Sequence, residues 1–528
     1  MKLAVLVDSD QTIARWQFNA LQEVISDGHE INILATAKGN TPKSRKKVKH
    51  VFYYVFAILN RYKLAQLNRV SIHHLGLKDA LHVDIKRETK GMWEEIPTDS
   101  LSIFSDSDVV VKFGMGLLRN PHLVPSKYGI LSYHHGDPEK YRGRPAGFWE
   151  SLNSESSMGV IVQSLSNNLD AGEIKAIGFS RVNQISYRKT LSEVYATGTP
   201  LLRKAISNLA SNSSIVSSFA YRTTTLPSNA KVIQLSIMQL KNRVARYAYG
   251  AFFEKKWRIG SIPLLGDLES HSTIKAQEID LIPVPSGYMM TADPCGELLG
   301  GLYCELLNSK SGLGEIGIWK QGNWHHLDIG IAGHASYPQI VQWNNSAYLF
   351  PEVSSGSNPV LIELGLDGKP SGKKMYLKNL EDKKLVDGTL FESNGSWFLF
   401  AGSSADSHQR LELYSSSSLD SEFQVHPMSP IVLDPRSSRM AGPIVQKKGS
   451  IYRFGQDCSE RYGGGITISK VIELTPSNYH EERVGSLGLE GALGPHSLLI
   501  GKDKIWLDFY KEKFAIAAGI RRIKAKFF

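Results

Sequence analysis

Two stretches decide the reading of this chain: Gly129–Glu150, GILSYHHGDPEKYRGRPAGFWE, and Gly159–Gly172, GVIVQSLSNNLDAG. The first ends an apolar strand on a polar His-His-Gly-Asp loop and continues into a Tyr-Arg-Gly-Arg-Pro turn. The second is another apolar strand, closing on a single Asp and a Gly. Working outward, Lys2–Asp8 (KLAVLVD) has the run expected of a buried parallel strand. Thr12–Ser26 carries helical spacing and stops at Asp27-Gly28, where Gly28 suits a helix C-cap. Glu30–Ala37 is a second strand, residues 48–68 are expected to be helical, and Asp108–Phe113 is a strand running into Gly114 and Gly116. A last helix is expected over 189–210. The alternation implies a doubly wound α/β domain over residues 1–211, with ligands gathering at the carboxyl ends of its strands.

Chemistry concentrates in the same two stretches. They resemble the folate-dependent formyltransferases, which move a formyl group from 10-formyltetrahydrofolate to an amine. That family carries Asn-x-His early and Asp-x-Gly later; here the motifs read Ser132-Tyr133-His134-His135-Gly136 and Asp170-Ala171-Gly172. The resemblance implies an α/β formyltransferase-like (Rossmann-like) fold over about residues 1–210. It makes His134 the acid/base, with Asp170 orienting it and Ser132 in the place of the family Asn. Gly114, Gly116, Arg142, Gly143 and Pro145 are expected at the wall of the folate pocket. Ser132 is a departure, because a hydroxyl offers one donor on a shorter arm than an amide, and an oxyanion donor is worth about 10²–10³ in rate. Ser132 itself or a water could substitute, His135 could compensate, or the site could have lapsed.

Residues 212–260 read as a Ser/Thr/Asn-rich linker followed by a basic amphipathic helix. Ile233, Ile237, Leu240 and Val244 share one face of that helix, expected to pack on its own protein rather than on a membrane, or to serve as a dimer interface or the seam between domains. From 261 onward the pattern is all-β. Five segments repeat a small or polar start, a strand, a Gly/Asn turn and an aromatic strand, with Tyr303, Tyr348, Trp397, Tyr452 and Trp506 in matching positions. A period of roughly 45–55 residues points to a five-bladed β-propeller. The repeats resemble the N-terminal region of plant glucosamine inositolphosphorylceramide transferases and, more distantly, furanosidase-type glycoside hydrolases. That resemblance puts Asp293 and Asp387 at one funnel, with Glu352, Arg439 and Asp457 nearby as carbohydrate-binding candidates. Three readings stay open for these groups: turn caps and ion pairs, glycan binding, or catalysis by two carboxylates. Gly312–Gly317 fits G-x-G-x-x-G but lies between strands, so it is no dinucleotide site, and His325-His326 is expected in a turn.

The composition is that of a globular protein, 42% hydrophobic and 21% charged, and no apolar run reaches the ~18 residues that span a bilayer. Cys295, Cys304 and Cys458 form no disulfide framework, which suits a reducing cytoplasm. The net charge of +10 includes two clusters, KSRKKVK at 43–49 and RRIKAK at 521–526. These are either solvated charge or contacts to an anion such as a nucleotide-sugar phosphate, tRNA or a membrane surface. No nucleic-acid module accompanies them, and no nucleic-acid partner is expected. The function expected is N-formylation of an aminosugar, nucleotide-linked, in polysaccharide biosynthesis, by a cytoplasmic protein with a glycan-binding propeller and a possible homodimer. The alternatives are a carbohydrate-binding protein whose formyltransferase domain has lapsed, or glycosidase or glycosyltransferase activity in the propeller.

Overall fold

A computed structural model describes residues 1–39, 48–90, 93–166, 172–210, 223–353, 358–381, 383–516 and 518–519. The chain forms two compact units, Met1–Val244 and Ala245–Phe528. The basic clusters at 43–47 and 521–526, and Asp170, lie outside the described residues, as does the side chain of Arg142.

A seven-stranded sheet forms the first unit. Its parallel strands run in the order Ile130–His134, Val109–Lys112, Lys2–Val7, Glu30–Lys38, Leu81–Lys86. The hairpin Ser157–Ser164 and Glu173–Arg181 adds two antiparallel strands beside Ile130–His134. Lys2–Val7 is central and its last five residues are buried, which explains its unbroken apolar run. Ala4, Leu6, Val110 and Ile130 point to one core, while Trp16, Phe148, Tyr187 and Leu191 form the core on the other face.

Local chemistry sets the element ends. The first helix begins at Arg15, because Thr12–Ala14 pairs instead with Arg69–Ser71. It ends where Gly28, at φ 81°, donates its N–H to Ile25 O at 3.0 Å. The helix expected over 48–68 is confined to Val51–Arg61, with short 3₁₀ turns on either side. The helix expected over 189–210 is two, Tyr187–Gly198 and Leu201–Ala210, since Pro200 cannot donate to the ladder and excludes helical backbone before it.

The second unit is all-β. Its described strands form five sheets. Three follow the chain as four-stranded antiparallel meanders, over 288–327, 335–376 and 385–425. The fourth holds Arg439–Met440, Val445–Lys447, Ser450–Gln456, Ile466–Leu474 and Tyr479–Glu490, with His271–Lys275 added in parallel. The fifth joins both ends of the unit: Lys504–Phe514 pairs with Leu498–Ile500 on one side and with Phe253–Pro263 on the other. The five aromatic positions fall in the second strand of each of the first three sheets, in Ser450–Gln456 and in Lys504–Phe514. His325 and His326 lie in the edge strand Asn323–Leu327 rather than in a turn, paired with Ile318 and Gly317.

A buried ion pair braces the fourth sheet. The fully buried Arg453 donates from Nε and Nη2 to Glu481 at 2.6 and 2.5 Å and from Nη1 to Ser437 O at 2.8 Å. Tyr479 Oη donates to the same carboxylate at 2.5 Å. Removing one partner of such a pair strands a buried charge. Glu481→Ala is therefore expected to cost about 3–5 kcal/mol in urea unfolding, whereas the surface change Glu482→Ala should stay within about 0.5 kcal/mol.

Candidate functional site

In the first unit the site grows from the carboxyl end of one parallel strand. Along Ile130–His134 side chains alternate, so Ser132 and His134 share a face with Ile130, while Tyr133 faces the opposite core. Beyond the strand, His134 Nε2 lies 3.4 Å from Tyr141 O. Two glycines make this turn possible. A Cβ on Gly136 would sit 2.8 Å from His134 Nε2, and one on Gly159 would sit 2.8 Å from Asp137 Cα. Gly172, the last residue of the Asp-x-Gly motif, passes so close to Ser164 O that any Cβ would collide with it. Gly159 therefore lets the hairpin press against the histidine loop, and Gly172 lets the two strands of the hairpin close on each other.

His135 does not assist His134. It sits in an aromatic cluster, edge-on to Trp16 at 5.4 Å and to Tyr195 at 5.1 Å. Its Nε2 is buried without a hydrogen-bond partner. Burial, with His134 and Arg61 adding to it, pushes its pKa from 6.5 down to about 3, so the ring is a neutral core group.

The glycines expected at a folate wall have structural duties. Gly114 lies against the backbone of Val7 and Asp8, where a Cβ would come within 2.4 Å of Val7 C. Met115 N–H donates to Asp8 Oδ1 at 2.9 Å and Gly116 N–H to Glu94 Oε2 at 2.9 Å. The buried Arg87 guanidinium pairs with both carboxylates. Arg142-Gly143 pairs with Thr223-Thr224, and Gly143, at φ 98°, has no room for a side chain beside Thr224 O. Pro145 follows a cis peptide bond in the same turn. A cavity of about 590 Å³ opens beside it, lined by Tyr141, Trp149, Asn153, Glu155 and Lys231 among others. Tyr141 links this cavity to His134, since its carbonyl approaches the imidazole while its hydroxyl donates to Glu155 at 3.0 Å.

In the second unit the structure brings together four of the five predicted residues. Asp293, Tyr337 and Asp387 occupy the same place in the first strands of three successive sheets. Each has φ 50° and each sits within a register shift. A left-handed residue at a bulge re-aims the side chain, and the strain of about 1–2 kcal/mol per position is offset by buried contacts. Asp387 N–H donates to Glu352 Oε2 at 2.7 Å, and its carboxylate pairs with Arg439 Nε at 2.6 Å and accepts from Gln456 Nε2 at 3.2 Å. Arg439 also donates to Ser407 Oγ at 2.9 Å and lies 5.0 Å from the Tyr462 ring centre. Asp457 instead caps its own turn, accepting from Ser459 N and Oγ at 3.0 and 2.6 Å.

Asp293 belongs to a triad that sequence reasoning missed. His496 Nε2 is 3.2 Å from Asp293 Oδ1, and its Nδ1 is 2.6 Å from Asp508 Oδ2. Asp508 is fully buried and accepts from Asp293 N at 2.9 Å, Ser497 N at 2.9 Å and Ser497 Oγ at 2.9 Å. Burial disfavours the imidazolium, but Asp508 and Asp293 outweigh it and push the His496 pKa from 6.5 up to about 10. Burial likewise opposes the Asp293 carboxylate, and His496 and Arg439 hold it below its ordinary value. Trp257 and Tyr462 flank His496 at 4.4 and 5.2 Å. The signal available in the sequence was the fifth repeat, which carries both His496 and Asp508. The three acidic and imidazole groups lie close enough for a metal site. Both imidazole nitrogens, however, are already engaged by carboxylates. A cleft of about 460 Å³ reaches the Asp387 cluster at Glu352 and is also lined by Phe350, Lys383, Lys384 and Ser404 among others.

Residues 301–497 match the family model described as glucosamine inositolphosphorylceramide transferase 1, N-terminal. The chain is 32% identical over 227 residues to the rice (Oryza sativa subsp. japonica) glucosamine inositolphosphorylceramide transferase 1, covering 40% of this chain and 30% of that protein. It is 32% identical over 218 residues to the Arabidopsis thaliana protein of the same name, covering 38% and 28%. The chain thus spans about 30% of the length of the curated relatives it matches. Among solved structures, a phosphoribosylglycinamide formyltransferase from Anaplasma phagocytophilum aligns at 15% identity and TM-score 0.29, covering 43% of this chain and 98% of that one. A 4-N formyltransferase from Francisella tularensis aligns at 12% and 0.28, covering 45% and 87%. A GH43 protein from Bacillus licheniformis aligns at 13% and 0.27, covering 36% and 42%. These TM-scores are too low to decide a fold.

Proposed function

We propose that the chain is a formyl-group transferase with a carbohydrate-binding unit. The first unit passes the formyl group of 10-formyltetrahydrofolate to the amine of a nucleotide-linked aminosugar. The second unit, whose five sheets we read as the blades of a propeller, holds the glycan. The observation that carries the reading is His134 at the carboxyl edge of the parallel sheet, with Ser132 on the same face and Tyr141 joining it to a cavity. In this reading the amine nitrogen bonds to the formyl carbon and the bond to N10 breaks. His134 moves the amine proton toward the departing N10, and the Ser132 hydroxyl donates to the developing oxyanion. The cavity offers an aromatic face at Trp149 and polar groups at Asn153 and Glu155, a set that suits either the pterin or the acceptor.

The propeller reading is supported by the order of the five sheets, by the strand Phe253–Pro263 that completes the last one, and by the repeated bulge at 293, 337 and 387. Binding is the reading we favour over glycoside hydrolysis at Asp293 and Asp387, since each already has a cation beside it, His496 at Asp293 and Arg439 at Asp387. A hydrolase needs one free carboxylate and one free carboxylic acid across the bond.

Calorimetry with 5-formyltetrahydrofolate tests the first unit. Wild type is expected to bind, and no binding at millimolar ligand would count against the proposal and favour the lapsed-domain alternative. In a formyl-transfer assay over nucleotide aminosugars, His134→Ala and Asp170→Asn should each lose about 10²–10⁴ in turnover, while His135→Phe stays near wild type. The triad predicts a pH signature. A group whose pKa is raised on folding contributes stability that is complete below its unfolded value and lost as pH rises through the folded one. Wild-type thermal stability should therefore fall as pH rises from 6.5 to about 10, and His496→Gln should flatten that slope. A slope unchanged in the variant would remove His496 as its source.

A further inference from the structure

We propose that the helix Val51–Arg61 and the first-unit part of the helix Asn229–Phe252, up to Val244, form a docking surface for an anionic lipid bilayer. The helix Val51–Arg61 is apolar on both sides. Tyr53 is buried and Phe56 packs with it against Phe148. Val55, Ile58 and Leu59 point outward, the last two 65% and 66% exposed. An amphipathic helix would turn polar residues to water there, and a helix apolar all round is normally covered. The helix Asn229–Phe252 repeats the arrangement. Val232 and Leu235 are buried, whereas the stripe expected to pack on the protein does not: Ile237, Leu240 and Val244 are all more than half exposed. The starts of the two helices are joined, since Phe52 N–H donates to Asn229 Oδ1 at 3.0 Å and Asn229 Nδ2 donates to Val48 O at 3.1 Å. Large apolar side chains left exposed on two joined helices are a mark of an interaction site.

Charge identifies the occupant. Residues 48–63 and 229–244 contain Lys49, Arg61, Lys63, Lys231, Lys241 and Arg243, and no Asp or Glu at all. In a two-fold dimer this surface would meet its own cations. An anionic membrane surface complements both features, because apolar side chains enter the acyl boundary while lysine and arginine meet the headgroups. The inference does not depend on the chemistry of His134.

Flotation of the full chain with vesicles tests it. The probe is phosphatidylcholine carrying roughly a third phosphatidylglycerol, beside phosphatidylcholine alone, in low and high salt. Wild type should float with the anionic vesicles and be released by salt. Ile58→Glu/Leu59→Glu and Ile237→Glu/Leu240→Glu keep every lysine and arginine and replace only exposed side chains. Each pair should reduce the bound fraction about tenfold with an unchanged circular dichroism spectrum and melting temperature. Failure of wild type to float at low salt would overturn the proposal, as would variants that float like wild type. So would a concentration-dependent dimer in sedimentation that the same variants dissociate.

Discussion

The ladder between Phe253–Pro263 and Lys504–Phe514 is the constraint on which the second unit depends. It joins strands from the two ends of that unit along eleven residues each. Trp257, Asp508 and Tyr510 all come from these two strands. Asp508 then holds Asp293 N, Ser497 and His496 through its two oxygens, so the ladder fixes the first strand of the first sheet to the last sheet. A carboxylate that is wholly buried is tolerable only with this many donors around it.

The same logic distributes charge through the rest of that unit. Asp387 is held by Arg439, Gln456 and, at its backbone, Glu352, and Arg453 is held by Glu481 and Ser437. Each of these buried charges has an opposite charge or several donors beside it, and aromatic faces from Trp257 and Tyr462 close over the centre. Such an arrangement favours a rigid polar floor over one with a free acid and a free base. The first unit works differently. His135, packed among Trp16 and Tyr195, is kept neutral by burial of its ring, while His134, one residue earlier and itself buried, lies on the other face of the strand end. One step along a strand separates a core residue from a candidate catalyst.

Much of this was legible in the sequence. The strand–helix–strand start, the run Asp108–Gly116, the Gly28 cap and the five aromatic positions follow from periodicity, and periodicity survives folding because each face meets either core or water. The two errors in helix length share one cause: residues 48–68 and 189–210 keep helical spacing across breaks imposed by backbone chemistry, at Pro200 and at the turns around 62–64.

What the sequence by itself determined was local: which segments alternate, where glycine is required, and that Ser132 and His134 stand two apart on one strand. Only the tertiary structure decided which partners the charges take. Asp293 meets His496 and Asp508 across more than two hundred residues, and Asp387 meets Arg439 across fifty-two. It also decided that the outer stripe of Asn229–Phe252 faces away from the core, although its spacing alone suits burial. The physical reason is common to both. Spacing records which residues share a face, whereas the partner of that face is set by long-range closure of sheets and by what remains uncovered once the core is filled.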